Sequence, residues 1–162
     1  MIAVTATDPR DTDAIADLID ELDRFYGTTK IEARAARLSQ VRAALFNSPP
    51  AAYGLLAWDD KRLVGLATYS FLWPAEGATS SLFLKELYVA QPHRRQGVGK
   101  LLMQRLCQLA ADNQCSRVEW VTDESNADAQ RFYEGLGAPR YPAKVFYRLE
   151  GAQVARLASG GE

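Results

Sequence analysis

The sequence has few of the residues that several protein classes require. Its 162 residues include two cysteines, Cys107 and Cys115, and one histidine, His93. These numbers exclude a disulfide scaffold and a zinc site with the usual cysteine and histidine spacing. The wholly apolar runs are only a few residues long, whereas a membrane-spanning helix needs about 20. The first residues, MIAVTATDPRD, already contain charged residues from Asp8 onward. This leaves too little room for the apolar region of a signal peptide, and we do not expect one.

An excess of charge of one sign is also missing. Lysine and arginine total 19 against 20 for aspartate and glutamate, a formal net charge of -1. A protein that binds nucleic acid or a membrane surface is expected to carry a basic excess. Hydrophobic residues make up 48% and charged residues 24%, the composition of an ordinary globular protein. We therefore expect a cytoplasmic, metal-independent domain over 1–150 and a small, polar, frayed tail over 151–162.

Hydrophobic periodicity divides the chain into short strands and amphipathic helices. Apolar stripes predict helices from Ile15 to Tyr26, over 32–46, over 98–113, and after the capping sequence Ser125–Asp128. Strand-like runs occupy 2–7, 52–58, 63–73, 81–89, 117–122 and 144–150, with turn residues between the second and third that predict a hairpin. The order of these elements predicts an α/β protein built on a mixed sheet.

The segment 89–100, VAQPHRRQGVGK, contains the most informative pattern. Gly97 and Gly99 stand near the first turn of a helix, where each glycine costs roughly 1 kcal/mol relative to alanine. Arg94, Arg95 and Lys100 lie at the positive end of the helix dipole, which is also unfavourable. A bound anion resolves both problems, because backbone N–H groups can approach it at the glycines.

Several phosphate-binding patterns can be compared with this segment. A Walker A loop, G-x-x-x-x-G-K-[ST], is absent from the sequence. A dinucleotide fingerprint has a third glycine where this chain has Leu102, although Glu119 stands at the distance of a ribose-binding acid. A basic helix start that binds only water and buffer ions is the remaining alternative.

The loop and its surroundings resemble the GCN5-related N-acetyltransferase (GNAT) superfamily. Arg94-x-x-Gly97-x-Gly99 matches the [RQ]-x-x-G-x-[GA] loop of that superfamily. LYV at 87–89, the long helix, the strand RVEW, Asn126 and FYEGLGA at 132–138 match as well. The clear similarity covers 81–138, and the order of elements extends it over 1–150. It implies a mixed, mostly antiparallel central sheet flanked by helices, with a splayed strand pair that holds the cofactor.

The resemblance also implies how acetyl-CoA binds as co-substrate. Successive loop amides bind its pyrophosphate, and the strand before the loop pairs with the pantetheine arm, much as an added strand would. Asn126 matches a residue that contacts the cofactor arm, and it is equally a residue type found at helix starts. The implied binding residues are Leu87, Tyr88, Val89, Arg94, Arg95, Gln96, Gly97, Val98, Gly99, Lys100 and Asn126.

The catalytic residues implied by the resemblance are Tyr133 and Glu86. Tyr133 matches the tyrosine that protonates the leaving thiolate as general acid, although an aromatic on an amphipathic helix also suits a core. Glu86 is the acid nearest to the position of the general base, where Lys85 departs from the family pattern. Alternation points Glu86 to the face opposite Lys85 and Leu87, so a solvent-facing Glu86 is also possible. A water-relayed base, or one of the acids at 123–124, is the other alternative.

The function implied is transfer of an acetyl group from acetyl-CoA to a primary amine of a small molecule by direct attack. The motif pattern is similar to that of diamine-type acetyltransferases, from which Lys85 departs. The alternatives are acetylation of a protein lysine or N-terminus, a non-catalytic acyl-CoA-binding module, and a nucleic-acid contact through 93–100. A homodimer is common in this superfamily. In this superfamily the first two helices and the loop between them usually shape the acceptor site, and here this region carries mixed charges and polar groups: Glu21, Asp23, Arg24, Tyr26 and Lys30.

Overall fold

The computed structural model describes residues 1–160, which form two compact units divided after Thr122. The first unit contains β1 (Ile2–Ala6), α1 (Thr12–Phe25), α2 (Arg34–Phe46), β2 (Tyr53–Asp59), β3 (Arg62–Leu72), β4 (Ser81–Val89), α3 (Val98–Asp112) and β5 (Arg117–Glu119). The second unit contains α4 (Ala127–Gly135) and α5 (Ala152–Ala158). No helix within residues 1–160 is both long enough and apolar enough to cross a membrane.

The first unit is organised around a five-stranded sheet whose strand order follows the chain order from β1 to β5. The first four strands are antiparallel to their neighbours, and β5 runs parallel to β4. The predicted hairpin is confirmed, with Asp59 of β2 opposite Arg62 of β3. The structure therefore confirms a mixed, mostly antiparallel sheet flanked by helices.

Helices cover both faces of this sheet. On one face the apolar stripe of α1 packs against the strands and α2 in a cluster that includes Ile15, Leu22, Val41, Leu66 and Tyr88. On the other face α3 packs closely over β3 at Gly65. A Cβ atom at Gly65 would lie 3.2 Å from side-chain atoms of Ala57, Val98 and Leu102. A side chain there would therefore push α3 away from the sheet.

A β-bulge interrupts the pairing of β3 with β4. Thr68 lies opposite Glu86 and Tyr69 lies opposite Leu84, so Lys85 is the extra residue. A bulge bends its strand and breaks the simple alternation of side chains between the two faces. The face of the sheet on which a residue after Lys85 lies therefore cannot be predicted by counting alternate residues from a position before Lys85.

Two arginines of α2 join it to the acidic side of α1. Arg34 forms ion pairs with Asp13 and Asp17, and these side chains are 42%, 69% and 73% exposed. One turn further on, Arg37 forms ion pairs with Asp20 and Asp23, and these side chains are only 11%, 16% and 31% exposed. We call these two sets of ion pairs the arginine clamps. They have the same chemistry and differ in how deeply they are buried.

Three expectations from the sequence differ from the structure. The strand predicted over 117–122 ends at Glu119. The prediction of a strand over 144–150 is wrong, because this segment has no regular secondary structure. A strand needs a neighbour for its hydrogen bonds, and residues 144–150 are exposed and pair with no strand among residues 1–160. The expected tail contains the seven-residue helix α5, whose side chains are exposed, and residues 161–162 lie outside the described part.

Candidate functional site

The loop between β4 and α3 has a backbone conformation that suits an anion. After a short 3-10 turn at Gln91–His93, Arg95 has a φ of 59° and Gly97 a φ of 85°. These are left-handed conformations, which glycine adopts freely and which cost other residues roughly 1–2 kcal/mol. Turns with such residues can direct successive N–H groups into one concave surface that binds anions. Arg95, a non-glycine residue, therefore stores strain in this loop.

The N-terminus of α3 continues this surface. Gly97 is its N-cap residue, and no side chain within residues 1–160 forms a capping hydrogen bond there. The first helical bond runs from the Leu101 amide to the Gly97 carbonyl, at 3.0 Å. The amides of Val98, Gly99 and Lys100 thus precede the first intrahelical bond and point out of the helix end. A Cβ atom at Gly97 would meet nothing within 4 Å, so space is open beside these amides. The arrangement fits a phosphate group.

Two side chains of this loop, those of Arg94 and Gln96, form hydrogen bonds that hold the loop in place. Arg94 Nε donates to the Val89 carbonyl at 2.8 Å, and Gln96 Nε2 donates to the Pro92 carbonyl at 2.8 Å. The Arg94 guanidinium carbon also lies 4.3 Å from the centre of the Phe25 ring and 5.3 Å from that of Tyr88. The Arg94 side chain is therefore engaged with the protein itself, whereas Arg95 and Gln96 are exposed.

The strand pair next to this loop is open over most of its length. β5 pairs with β4 only from Ser81 to Phe83. Leu87, Tyr88 and Val89 pair with β3 on one side, and β5 does not extend along their other side. The sheet thus has an edge beside the loop at which an extended ligand can pair with the backbone.

Two acidic side chains lie between this end of β4 and α1. Tyr26 donates to Glu86 Oε1 at 3.3 Å, and the buried Tyr88 donates to Glu21 Oε1 at 2.9 Å. Burial, and then the hydrogen bond to Glu21, raise the pKa of Tyr88 to about 12. Glu86 and Tyr88 therefore both face α1. Lys85, the bulge residue, is exposed.

The other two predicted site residues lie in the second compact unit. Asn126 is the N-cap residue of α4, and its Oδ1 accepts from the Ala129 amide at 3.1 Å. The helix-start role weighed for Asn126 is therefore present, and the capping residue is Asn126 rather than Ser125. Tyr133 lies near the end of α4 with its ring centre 5.2 Å from that of Phe132. Both rings are partly buried.

Phe25 is the site residue that sequence reasoning missed. Its place on the apolar stripe of α1 predicts a core residue, yet it is 51% exposed and lies against Arg94. The only local signal is an aromatic pair, Phe25-Tyr26, directly before Gly27 at the helix end. No group of three or more histidine, cysteine, aspartate or glutamate side chains within residues 1–160 is arranged to hold a metal ion.

An uncapped helix start beside an opened strand pair in a mixed sheet suits a cofactor that carries a phosphate group and an extended arm. Residues 15–138 match the model of the Acetyltransferase (GNAT) family. The match covers most of the chain, and the protein belongs to this family. The resemblance drawn from the loop and from FYEGLGA is thereby confirmed.

Named relatives and a solved structure agree with this assignment. L-ornithine N5-acetyltransferase NATA1 of Arabidopsis thaliana is 29% identical over 57% of this chain and 41% of its own length. Aminoglycoside N(6')-acetyltransferase type 1 of Serratia marcescens is 36% identical over 41% of this chain and 45% of its own length. The aligned parts thus span less than half of each of these two relatives. An integron cassette protein from the mobile metagenome of V. cholerae has a TM-score of 0.90 at 25% identity, over 97% of both chains.

Proposed function

We propose that this protein transfers an acetyl group from acetyl-CoA to a primary amine of a small molecule. The observation that carries the proposal is the uncapped N-terminus of α3, which follows the left-handed Gly97 and adjoins the open edge of β4. An anion site and an unpaired strand edge side by side suit a ligand with a diphosphate and an amide-containing arm. Membership in the GNAT family supports acetyl-CoA as that ligand.

The loop and the strand have separate parts in binding the co-substrate. The amides of residues 95–100 bind the pyrophosphate, with the positive end of α3 adding attraction. The backbone of Leu87, Tyr88 and Val89 pairs with the arm that carries the acetyl group. Arg94 acts by holding the loop, since its guanidinium already contacts Val89, Phe25 and Tyr88. Asn126 contacts the arm through its side-chain nitrogen, because its oxygen caps α4.

The chemistry proposed is direct attack of the amine on the thioester. A primary amine is mostly protonated near neutral pH, so it must lose a proton before its nitrogen forms the new C–N bond. Glu86 takes this proton, directly or through a water molecule. The C–S bond then breaks, and the Tyr133 hydroxyl protonates the departing thiolate while the amide forms. The proton that the nitrogen loses on becoming an amide reprotonates Tyr133, so one proton is released overall.

The acceptor is a small molecule with a positively charged amine. The Glu21 and Glu86 carboxylates lie on the side of β4 that faces α1, where they attract an ammonium group. The relatives above are named for ornithine and for an aminoglycoside, and both names describe N-acetylation. A panel of amino acids, diamines and aminoglycosides therefore forms the first screen.

Calorimetric titration with acetyl-CoA tests the binding part of the proposal. We expect micromolar binding to the parent protein and loss of binding in Gly97→Glu, which places a carboxylate beside the loop amides. Gly77→Glu is a matched control. Gly77 also has a positive φ, 59°, and also has nothing within 4 Å of its Cβ position. Both variants carry the same charge and a similar backbone penalty, so only the location differs. A folded parent that does not bind acetyl-CoA would refute the proposal.

Thiol release during turnover tests the catalytic part. Tyr133→Phe and Glu86→Gln should lower kcat by about a hundredfold to ten-thousandfold, with little change in the Kd for acetyl-CoA. Binding without turnover of any amine in the screen would instead favour a non-catalytic acyl-CoA-binding module. Turnover of lysine peptides or protein N-termini, and not of small amines, would favour a protein acetyltransferase.

Four further expectations are proposed on the same basis. The resemblance suggests a homodimer, for which light scattering should give about twice the chain mass of 17.9 kDa. The balanced charge suggests a cytoplasmic protein with no nucleic-acid partner. Gel-shift titration with duplex DNA should therefore show no binding at physiological salt. Residues 1–150 are proposed to form one functional domain, so a chain ending at Glu150 should keep its affinity for acetyl-CoA.

A further inference from the structure

We propose that Phe25, at the C-terminal end of α1, positions the coenzyme-binding loop through Arg94. This inference rests on the function proposed above, in which the loop binds acetyl-CoA. Phe25 itself is a positioning residue, since it lies against Arg94 and has no group that can bind a phosphate. Its contribution is to fix the conformation in which the loop amides meet the ligand.

The Arg94 guanidinium packs against two aromatic rings. Its carbon lies 4.3 Å from the Phe25 ring centre and 5.3 Å from the Tyr88 ring centre. The two rings are themselves in contact, with centres 5.8 Å apart. A guanidinium over an aromatic face is attracted by the ring quadrupole, and it stacks there as a flat group. Arg94 is thus held by one ring from α1 and one from β4.

Arg94 also lies at a position from which its side chain can fix the backbone of the loop. Its Nε donates to the Val89 carbonyl at 2.8 Å, which ties the loop to the last residue of β4. Its backbone is extended, with φ −69° and ψ 156°, and the next residue is the left-handed Arg95. An unfavourable backbone conformation persists only when its surroundings hold it. The anchored side chain of Arg94 directly precedes that position and is suited to hold it.

Phe25 is far more exposed than the core residues of α1. Ile15, Leu18 and Leu22 of α1 are at most 9% exposed, whereas Phe25 is 51% exposed. A large apolar side chain that is half exposed adds less to the core than its neighbours do. Its contact with Arg94 gives it a second use, because a loop already held in its binding conformation loses less entropy when the ligand binds.

The variants Phe25→Leu, Phe25→Tyr and Arg94→Lys test this role by titration with acetyl-CoA. Phe25→Leu removes the aromatic face at similar volume and should weaken binding by about threefold to tenfold. Phe25→Tyr keeps the face and should weaken binding by less than about twofold. Arg94→Lys keeps the charge but loses both the flat fork and the Nε hydrogen bond to Val89, so it should weaken binding at least as much as Phe25→Leu. The double variant Phe25→Leu/Arg94→Lys should be little worse than Arg94→Lys alone, because the lysine variant has already lost the stacked contact with Phe25.

Tyr53→Leu is the control for loss of an exposed aromatic. Tyr53 is 43% exposed, and its ring contacts Tyr69 and Phe71 rather than an arginine. The Kd for acetyl-CoA should be the same in this variant as in the parent. In turnover assays Phe25→Leu should raise the KM for acetyl-CoA by a larger factor than it lowers kcat. A purely structural defect would not separate the two constants in this way.

Hydrogen exchange of the ligand-free protein separates this inference from the proposed function. Amides of residues 95–100 should exchange faster in Phe25→Leu than in the parent, and no faster in Phe25→Tyr. If the parent fails to bind acetyl-CoA, the proposed function falls, while the exchange data still judge the link from Phe25 to the loop. Unchanged exchange and an unchanged Kd in a folded Phe25→Leu variant would overturn the inference. Equal losses in the leucine and tyrosine variants would also overturn it.

Discussion

The two arginine clamps between α1 and α2 provide a comparison in which burial is the main variable. Arg37→Met keeps an unbranched apolar stem and removes the charged guanidinium shared by Asp20 and Asp23. Arg34→Met does the same for Asp13 and Asp17 one turn away. We expect the first substitution to destabilise the protein much more than the second.

The magnitudes follow from the exposures. Removing one partner of a fully buried ion pair costs about 3–5 kcal/mol, because it leaves an uncompensated charge. Arg37 is 11% exposed, but Asp23 is 31% exposed and keeps part of its hydration. We therefore expect a loss of about 2 kcal/mol in the free energy of unfolding. The side chains around Arg34 are 42–73% exposed, and such pairs contribute less than about 1 kcal/mol.

Thermal unfolding followed by circular dichroism at neutral pH measures the difference. For a chain of this size about 1 kcal/mol shifts the Tm by roughly 2–4 °C, so Arg37→Met should lower it by about 4–8 °C. Arg34→Met should lower it by less than about 4 °C, and 1 M salt should remove most of that effect. Adding Asp20→Asn to Arg37→Met should restore part of the loss. Equal Tm shifts for the two arginine variants, or no recovery in the double variant, would refute the reasoning.

Three other substitutions test the packing and the buried tyrosine. Tyr88 has a pKa of about 12 in the folded protein, whereas in the unfolded chain it loses its proton near pH 10. The free energy of unfolding of the parent should therefore fall by up to roughly 2–3 kcal/mol as pH rises from about 10 to 12. Urea unfolding of Tyr88→Phe should show a smaller loss over that range. Gly65→Ala brings a methyl group to 3.2 Å from Val98 and should cost about 1–3 kcal/mol in the same assay. Leu102→Ala empties a fully buried position and should cost about 2–5 kcal/mol, and an unchanged urea midpoint would contradict the packing of α3 described above.

The fold could be predicted from the sequence wherever a segment carries its own signal. The helix predicted over 98–113 is observed as Val98–Asp112, and the turn before Arg62 joins two strands as expected. The segment 144–150 is apolar enough for a strand, but the formation of a strand depends on a partner. Apolar composition says nothing about whether a neighbouring edge is present. This is why the same reasoning succeeded for the hairpin and failed there.

The candidate site also has one part that could be predicted from the sequence and one part that could not. The glycine-rich loop is local in sequence, so its residues and its anion-binding character could be proposed before its conformation was known. The contacts of Arg94 with Phe25 and of Tyr26 with Glu86 join residues far apart in sequence, and neither follows from a motif. The bulge at Lys85 was also not predicted, because no glycine or proline marks it. Its position means that the spacing of side chains along β4 cannot be read by simple alternation.

The agreement between strand order and chain order bears on how this sheet assembles. The pairings of β2 with β3 and of β3 with β4 close short loops and form at little entropic cost, whereas β1 reaches β2 only across α1 and α2. The parallel pairing of β5 requires the whole of α3 to fold back first, and it spans only three residue pairs. Because so few backbone pairs hold it, we expect β5 to be the first strand to open in the native protein. A ligand bound along the open edge of β4 would therefore bind where the sheet is weakest, and its effect on backbone opening should be greatest in β4 and β5.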